Sequence, residues 1–483
     1  MAAIFLSLFR IRYNPGKLSE NRRSYMKYRM ILIFVIFFLC YFSLPAQTTL
    51  SGLVKGGDEP IISLYVIDDF ITGKEVHTDQ SALSPEGHFT LSVDVKQVRY
   101  AVLRVGYYSA GLYLEPGKNY TLDISYEPVD FFINPNLVDT PLSYSIRDEI
   151  FEGLNTNIAL FNGMYDDFIL AHFQSLYRSR DKTLLDEFQS EVDKAFAGYH
   201  DSYFEQYVRY RIASIEFQTR LKSRHELAEA YFTGRPLYFH DEAMAFFTLF
   251  YSKYLVSSSR YITSSDLECT INDLASTAAL MDTLGKDPVL RNEVWRELVM
   301  LFTLNELLSD RNFGYDQLIS MLRRVATTSK FPEHRLIAEN CLEKAGALTP
   351  GSTAPELSVN GTPIWGREAK PFLMVCFFQT WNGACQAEME LLKNVAEGFD
   401  AMEVIMISAD EQESLFLEWQ ASDTVPWLSF WFANDYDLLN AYNARSFPLF
   451  VLLSDDGKIV YWDMPRPSEG MEVLLTRFFG NEQ

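Results

Sequence analysis

The stretch FLMVCFFQTWNGACQAEM, residues 372–389, decides how the last third of this 483-residue chain is read. Its first seven residues are continuously apolar, the pattern of a strand buried on both faces. After the polar break at Gln379 and Thr380, residues 385–396 read as a helix. Residues 404–408 then give a second buried strand and 413–420 a helix. Residues 449–453 give a third strand, joined through the turn Asp455-Asp456-Gly457 to a partner at 458–462. Residues 469–479 close with a helix. The order is therefore strand, helix, strand, a further helix, a hairpin and a last helix, an α/β domain.

Three stretches of this domain resemble the TlpA/ResA branch of the thioredoxin superfamily, a group of exported thiol–disulfide oxidoreductases. They are PGSTAPEL (350–357), FFQTWNGACQAEM (377–389) and YNARSFPLFVLLSDDGKI (442–459), spaced as in that family, and the matching domain covers 349–483. The resemblance implies a thioredoxin-like fold. Two shorter stretches, PEGHF (85–89) and YLEPG (113–117), together with the three-part layout, resemble exported thioredoxin-like proteins of Bacteroidetes.

Family members carry W-C-x-x-C at the start of the site helix. A thiolate whose pKa is lowered by the helix N-terminus attacks, and a second thiol at i+3 resolves the mixed disulfide. Here the motif is Trp381-Asn382-Gly383-Ala384-Cys385. Asn382 occupies the attacking position and forms no thiolate; Cys385 occupies the resolving one. A dithiol cycle within this motif is excluded. Trp381 and Gly383 match the family, and Glu388 matches an acid that handles protons there, so it is a vestigial catalytic group on this reading. Glu390 replaces a helix-kinking proline. The resemblance makes Phe447-Pro448 the cis-proline pair facing the site, with Trp381, Gly383, Phe447 and Pro448 as a binding frame. A peroxiredoxin needs P-x-x-x-[ST]-x-x-C, and Phe378 and Asn382 stand where its proline and hydroxyl would be. Cys376, inside the strand, reads as an inert core thiol.

Upstream, residues 47–130 alternate with period two. Phe89, Leu91, Val93 and Val95 form one such row, and Tyr120, Leu122, Ile124 and Tyr126 another, with turns at Pro85-Glu86-Gly87 and Glu115-Pro116-Gly117. This reads as a small antiparallel β domain. Residues 141–346 change texture: only six glycines and four prolines fall within 141–345, and Leu184, Leu185, Phe188, Val192 and Phe196 recur at helical spacing. This reads as an all-α middle domain of six to eight helices. Asp287-Pro288 and Phe331-Pro332 read as helix starts, and Gly346 as a stop. Cys269 and Cys341 are a candidate pair.

At the N-terminus, residues 30–44 (MILIFVIFFLCYFSL) are about the length of a signal-peptide core and short of a membrane span. Lys27 and Arg29 precede this run, and Ala46 suits cleavage. Residues 1–46 therefore read as an export signal, with 1–25 outside it and translation starting at Met26 or Met30. An uncleaved anchor is the alternative. The expected location is the periplasm or cell envelope.

Lys and Arg number 42 against 64 Asp and Glu, a net charge of −22, which argues against nucleic acid as a partner. No phosphate-binding loop, HExxH or Cys/His cluster is present, so no nucleotide, cofactor or metal is expected. The leading expectation is a binding protein for a polypeptide or envelope partner. The alternatives are an oxidoreductase working through Cys385 alone, and a structural envelope module.

Overall fold

The structure, a computed structural model, describes residues 47–56, 61–127, 140–147, 153–359, 362–363, 370–422 and 425–480. The expected export signal lies outside them. Among the described residues no helix is long and apolar enough to cross a membrane.

The N-terminal region is two packed sheets. One orders His88–Val93, Thr48–Lys55, Asn119–Ser125 and Ser143–Ile146; the other orders Lys74–Ala82, Ile61–Asp69, Arg99–Val105, Tyr108–Leu114 and Thr140–Pro141. The alternating residues meet between them: Leu50, Leu91, Leu103, Leu112, Tyr120 and Leu122 share one core. Gly87 turns the chain at φ +87°, a conformation glycine adopts without strain. The sheets are mixed rather than purely antiparallel, because Thr48–Lys55 runs parallel to Asn119–Ser125 and Tyr108–Leu114 parallel to Thr140–Pro141. They also take in residues 140–146, which the loss of glycine and proline at 141 had grouped with the helices. There Leu142, Tyr144 and Ile146 continue the period-two burial.

From Leu154 to Gly346 the described residues hold ten α-helices, more than the six to eight expected. The surplus is short: Ser264–Glu268 has five residues, and Arg224–Tyr231 and Thr277–Leu284 eight each, too few to show a full amphipathic repeat. Asp287 caps only a 3-10 turn, Pro288–Leu290, through its contact with the Val289 N–H. The helix Pro332–Gly346 begins at its proline and ends at its glycine. Cys269 and Cys341 are both free thiols, one exposed and one buried.

The C-terminal domain is built on a five-stranded sheet in the order Leu428–Trp431, Met402–Ser408, Phe372–Phe378, Leu449–Ser454, Ile459–Tyr461. The central strand Phe372–Phe378 runs parallel to Met402–Ser408 and antiparallel to Leu449–Ser454, with Cys376 opposite Met406 and Phe450. Alternation sends Met374, Cys376 and Phe378 to the face covered by the helices Gly383–Glu397 and Met471–Gly480. Leu373, Val375 and Phe377 go to the other face, against Leu438, Leu439 and Tyr442. Both faces are filled, as the continuous apolar run required.

Polar side chains join the three regions. The Asn155 amide brackets the backbone of Tyr113, accepting from its N–H at 2.7 Å and donating to its C=O at 2.9 Å. Asn340 donates to Asp69 at 2.8 Å. Tyr65 donates to Asp437 at 2.7 Å, and the Tyr107 hydroxyl donates to the Ala409 carbonyl at 3.2 Å.

Candidate functional site

The buried strand Phe372–Phe378 delivers the chain to Gln379-Thr380-Trp381, and the site helix Gly383–Glu397 leaves from there. The turn is held from below by a buried carboxylate. Asp410 accepts from the Thr380 N–H at 3.0 and 3.2 Å and from the Ser408 hydroxyl at 2.5 Å. Burial pushes its pKa up, against the opposing pull of those hydrogen bonds. Gln386 closes the turn from the helix side by donating to the Thr380 carbonyl at 2.8 Å.

Asn382 is the N-cap. Its Oδ1 accepts from the N–H of Ala384 at 3.0 Å and of Cys385 at 3.4 Å. These are the unpaired first-turn donors that would otherwise stabilise an anion at this place. The amide fills the electropositive end of the helix without carrying charge.

Cys385 lies one turn inside the helix and is fully buried, packed with Met389, Leu392 and Phe378. Burial pushes its thiol up to about 12, with the nearby Asp410 carboxylate adding to the rise. A hydrogen bond from the Gln379 backbone only partly offsets them. Cys376 shares the same apolar cluster, and burial raises its thiol well above the ordinary value. Neither sulfur ionises near neutral pH, so neither has the thiolate character that exchange chemistry uses.

Glu388 is buried and points at the C-terminal segment. The Ser468 N–H donates to its Oε2 at 3.0 Å and the Ser468 hydroxyl to its Oε1 at 2.5 Å. Both carboxylate oxygens are occupied in bracing the helix to the turn Pro467–Glu469. Glu390 is exposed and paired with Lys393 at 2.6 Å, and the helix runs unbroken through it.

The Phe447–Pro448 peptide bond is cis. Pro448 is buried and Phe447 half-buried, its ring against the apolar clusters on both faces of the sheet. Among the described residues the backbone N–H and C=O of Phe447 make no hydrogen bond. Trp381 is half-buried and Gly383 exposed, with open space where a side chain would stand.

The sequence profile of the thioredoxin-like family matches residues 371–459, which span both the site helix start and the cis-proline. Residues 371–459 form a thioredoxin-like domain. No curated protein matches the chain at a significant level. Among solved structures, the thioredoxin domain of a thiol-disulfide oxidoreductase from Bacteroides vulgatus is 21% identical. That match covers 27% of this chain and 99% of that one, with TM-score 0.24. A thiol:disulfide interchange protein from a Bacteroides species is 20% identical over 28% of this chain and 91% of that one, with TM-score 0.24. A thioredoxin-like protein from Bacteroides caccae is 12% identical over 50% of this chain and 94% of that one, with TM-score 0.30.

Around the thioredoxin-like domain the sequence reading missed two residues. Asp410 follows the apolar run 404–407, and a charge directly after a buried strand was its available signal. Tyr107 comes from a turn of the β region some 300 positions away, and its ring packs edge-on against Tyr436 at 5.3 Å. No local pattern announces that contact.

Proposed function

We propose that this chain is an exported binding protein that takes an extended polypeptide at the groove beside Pro448 and performs no dithiol exchange. The observation that carries the binding half is the unengaged backbone of Phe447. An extended peptide laid beside it would hydrogen-bond to that N–H and C=O as an added strand does, with Trp381 and the Phe447 ring supplying apolar contact. The observation behind the redox half is the Asn382 cap: an amide oxygen holds the donors that a thiolate would need, and the remaining thiol is buried and protonated. Export is supported by the short apolar core at 30–44 and its basic flank.

The test has two arms. In an insulin-reduction assay with dithiothreitol, the protein leaves the background rate unchanged; catalysis at the rate of an ordinary thioredoxin-like reductase would defeat the redox half and favour a thiol reductase working through Cys385. Reduced, alkylated lactalbumin, a permanently extended polypeptide, is the probe for the binding half. Its affinity falls with Trp381→Ala and Phe447→Ala, and equal affinity for wild type and both folded variants would move the surface elsewhere.

A further inference from the structure

A second concavity lies away from the cis-proline groove, where the helical region meets the β sheets. It encloses about 750 Å³, within the roughly 300–1,000 Å³ of ligand sites. One wall is the start of the helix Ser202–Gln218, another the segment 230–240, and Gln97 from the β region and Glu333 close the rim.

The lining holds a charge that nothing in the fold answers. Arg209 is exposed, and among the described residues it makes no ion pair. Its guanidinium donates to the Ala230 carbonyl at 2.6 Å and to the Gln206 side-chain oxygen at 3.3 Å, both neutral acceptors. A guanidinium carries five N–H donors, so most of the fork is unspent. It lies 4.7 Å over the Tyr231 ring, a packing that fixes the plane of the fork. The one carboxylate in the lining, Glu333, is already paired with Arg235 at 2.6 Å. The cleft therefore carries an uncompensated positive charge in a chain of net charge −22.

It also holds main chain without partners. Residues 232–240 join the helix Arg224–Tyr231 to the helix Asp241–Tyr251. Their first carbonyls are engaged: that of Thr233 accepts from Asn292 and that of Gly234 from Trp295, each at 2.8 Å. Beyond them, the N–H groups of Arg235, Leu237, Tyr238 and Phe239 make no hydrogen bond among the described residues. Nor do the carbonyls of Arg235, Pro236, Tyr238 and Phe239. Such groups pair with whatever polar partner reaches them. The tyrosine rings, by contrast, have little to offer: Tyr210 and Tyr238 are buried, and the Tyr203 ring is stacked on His240 at 4.0 Å.

We propose that this cleft binds a segment of polypeptide through a carboxylate, which pairs with Arg209 while the segment's main chain hydrogen-bonds along residues 235–239. A small carboxylic acid would answer the guanidinium and the N–H groups but bring nothing for the bare carbonyls. A polypeptide brings donors and acceptors in alternation, which is how main chain recognises main chain. A carboxylate on an arginine fork forms two parallel charge-assisted hydrogen bonds, the strong kind. The site is separate from the groove beside Pro448 and does not depend on it.

Calorimetry with the full chain tests this. Two sets of heptapeptides supply the carboxylate, one with a central Glu and blocked ends, the other with a central Gln and a free C-terminus. Val, Leu, Thr and Ser vary at the flanking positions. At least one peptide binds with Kd below about 1 mM, and the set it comes from assigns the carboxylate to a side chain or to a chain end. Its carboxylate-free counterpart, with central Gln and both ends blocked, binds about tenfold more weakly or worse. Because that comparison uses the unaltered protein, it is clear of any folding defect. Arg209→Gln weakens the carboxylate peptide by a similar factor, and Arg209→Lys, which keeps the charge, by less. The Arg209 effect persists in a Trp381→Ala background, which keeps this site distinct from the groove beside Pro448. Absence of binding by both sets, equal affinity for the carboxylate-free peptides or indifference to Arg209→Gln would overturn the proposal. So would an Arg209 effect that vanishes with Trp381→Ala, or glutarate binding as tightly as the peptides.

Discussion

The helix Gly383–Glu397 begins at the neutral amide of Asn382, whereas the helix Asp241–Tyr251 begins with two carboxylates, Asp241 and Glu242, in its first turn. The first start is open to solvent at Gly383 and Ala384 and the second is largely buried, but both present the same electropositive donors. At the first, an amide satisfies them, and burial together with the Asp410 carboxylate raises the Cys385 thiol pKa. At the second, His240 caps through Nδ1, which accepts from the Ala243 N–H, while its Nε2 donates to the Tyr203 carbonyl at 3.0 Å. With Nδ1 accepting and Nε2 donating, the ring caps as a neutral group, in line with the lowering of its pKa by burial, beside the two carboxyl groups of the first turn. A helix start can thus be made electrostatically quiet or charged by its first four residues, and in this chain the one resembling a redox site is the quiet one.

The largest expected effect is at the charged start. Asp241 accepts from Tyr113 at 2.6 Å and from Tyr203 at 2.9 Å, so one carboxylate ties the β region to the helical region. Asp241→Ala leaves two hydroxyls without their acceptor, and each such loss in a buried setting costs about 1–3 kcal/mol. Urea denaturation should show a loss of about 3 kcal/mol. A change below about 0.5 kcal/mol would mean that water replaces the carboxylate and that the interface is wet.

Next comes a pH dependence at the same charged start. Burial raises the Glu242 pKa to about 7, with Arg211 opposing and Asp241 adding to the rise. The folded value lies above the unfolded one, so the folded state holds the proton more tightly. The stability this gives is full below about pH 4.5 and is lost as pH rises through about 7. Between those limits the unfolding free energy should fall by up to about 3 kcal/mol from this group. Glu242→Gln should flatten that part of the profile; an identical slope in the variant would assign the titration to another group.

Much of the thioredoxin-like domain was legible because its signal is local. The run 372–378 is apolar without interruption, and a strand buried on both faces has no other pattern. The strand Leu428–Trp431 escaped notice because it is a four-residue edge strand with Leu428 exposed and the rest half-buried. The Asn382 substitution was legible as the loss of a thiol but not as the gain of a cap, since capping depends on where its amide oxygen lands. Glu388 looked like a proton-handling acid from its spacing after Cys385; its partner Ser468 is 80 positions later, and distance along the chain hid the brace. The tyrosine-rich middle read as ordinary core. Much of it is, with Tyr210, Tyr238, Tyr251 and Tyr254 buried, while Tyr203 and Tyr231 are half-buried.

The brace gives the third prediction. Glu388→Ala removes a buried carboxylate and orphans the Ser468 N–H and hydroxyl, at a cost of about 2 kcal/mol in urea denaturation. Ser468→Ala should couple to it in a double-mutant cycle by at least about 0.5 kcal/mol. Additive effects would return Glu388 to the role of an independent group available for proton transfer.

The smallest effect tests the comparison at its centre. Asn382→Ala deletes the cap, and losing such a cap typically costs about 1 kcal/mol. Asn382→Cys removes the same amide but places a thiol at the helix start, three residues before Cys385. If the electropositive donors are intact under the amide, the new thiol titrates below the ordinary cysteine value of about 8.5. Absorbance of the thiolate near 240 nm across pH 4–10 reads this directly. A single transition below about 7.5, absent from the wild-type protein, would show that the helix start remains able to hold a thiolate and that the asparagine alone keeps it quiet. A new thiol titrating at or above 8.5 would mean that the surroundings, with Phe447 packed beside Pro448 and Asp410 beneath, have been remodelled against a negative charge. In that case the quietness belongs to the whole site and not to one residue.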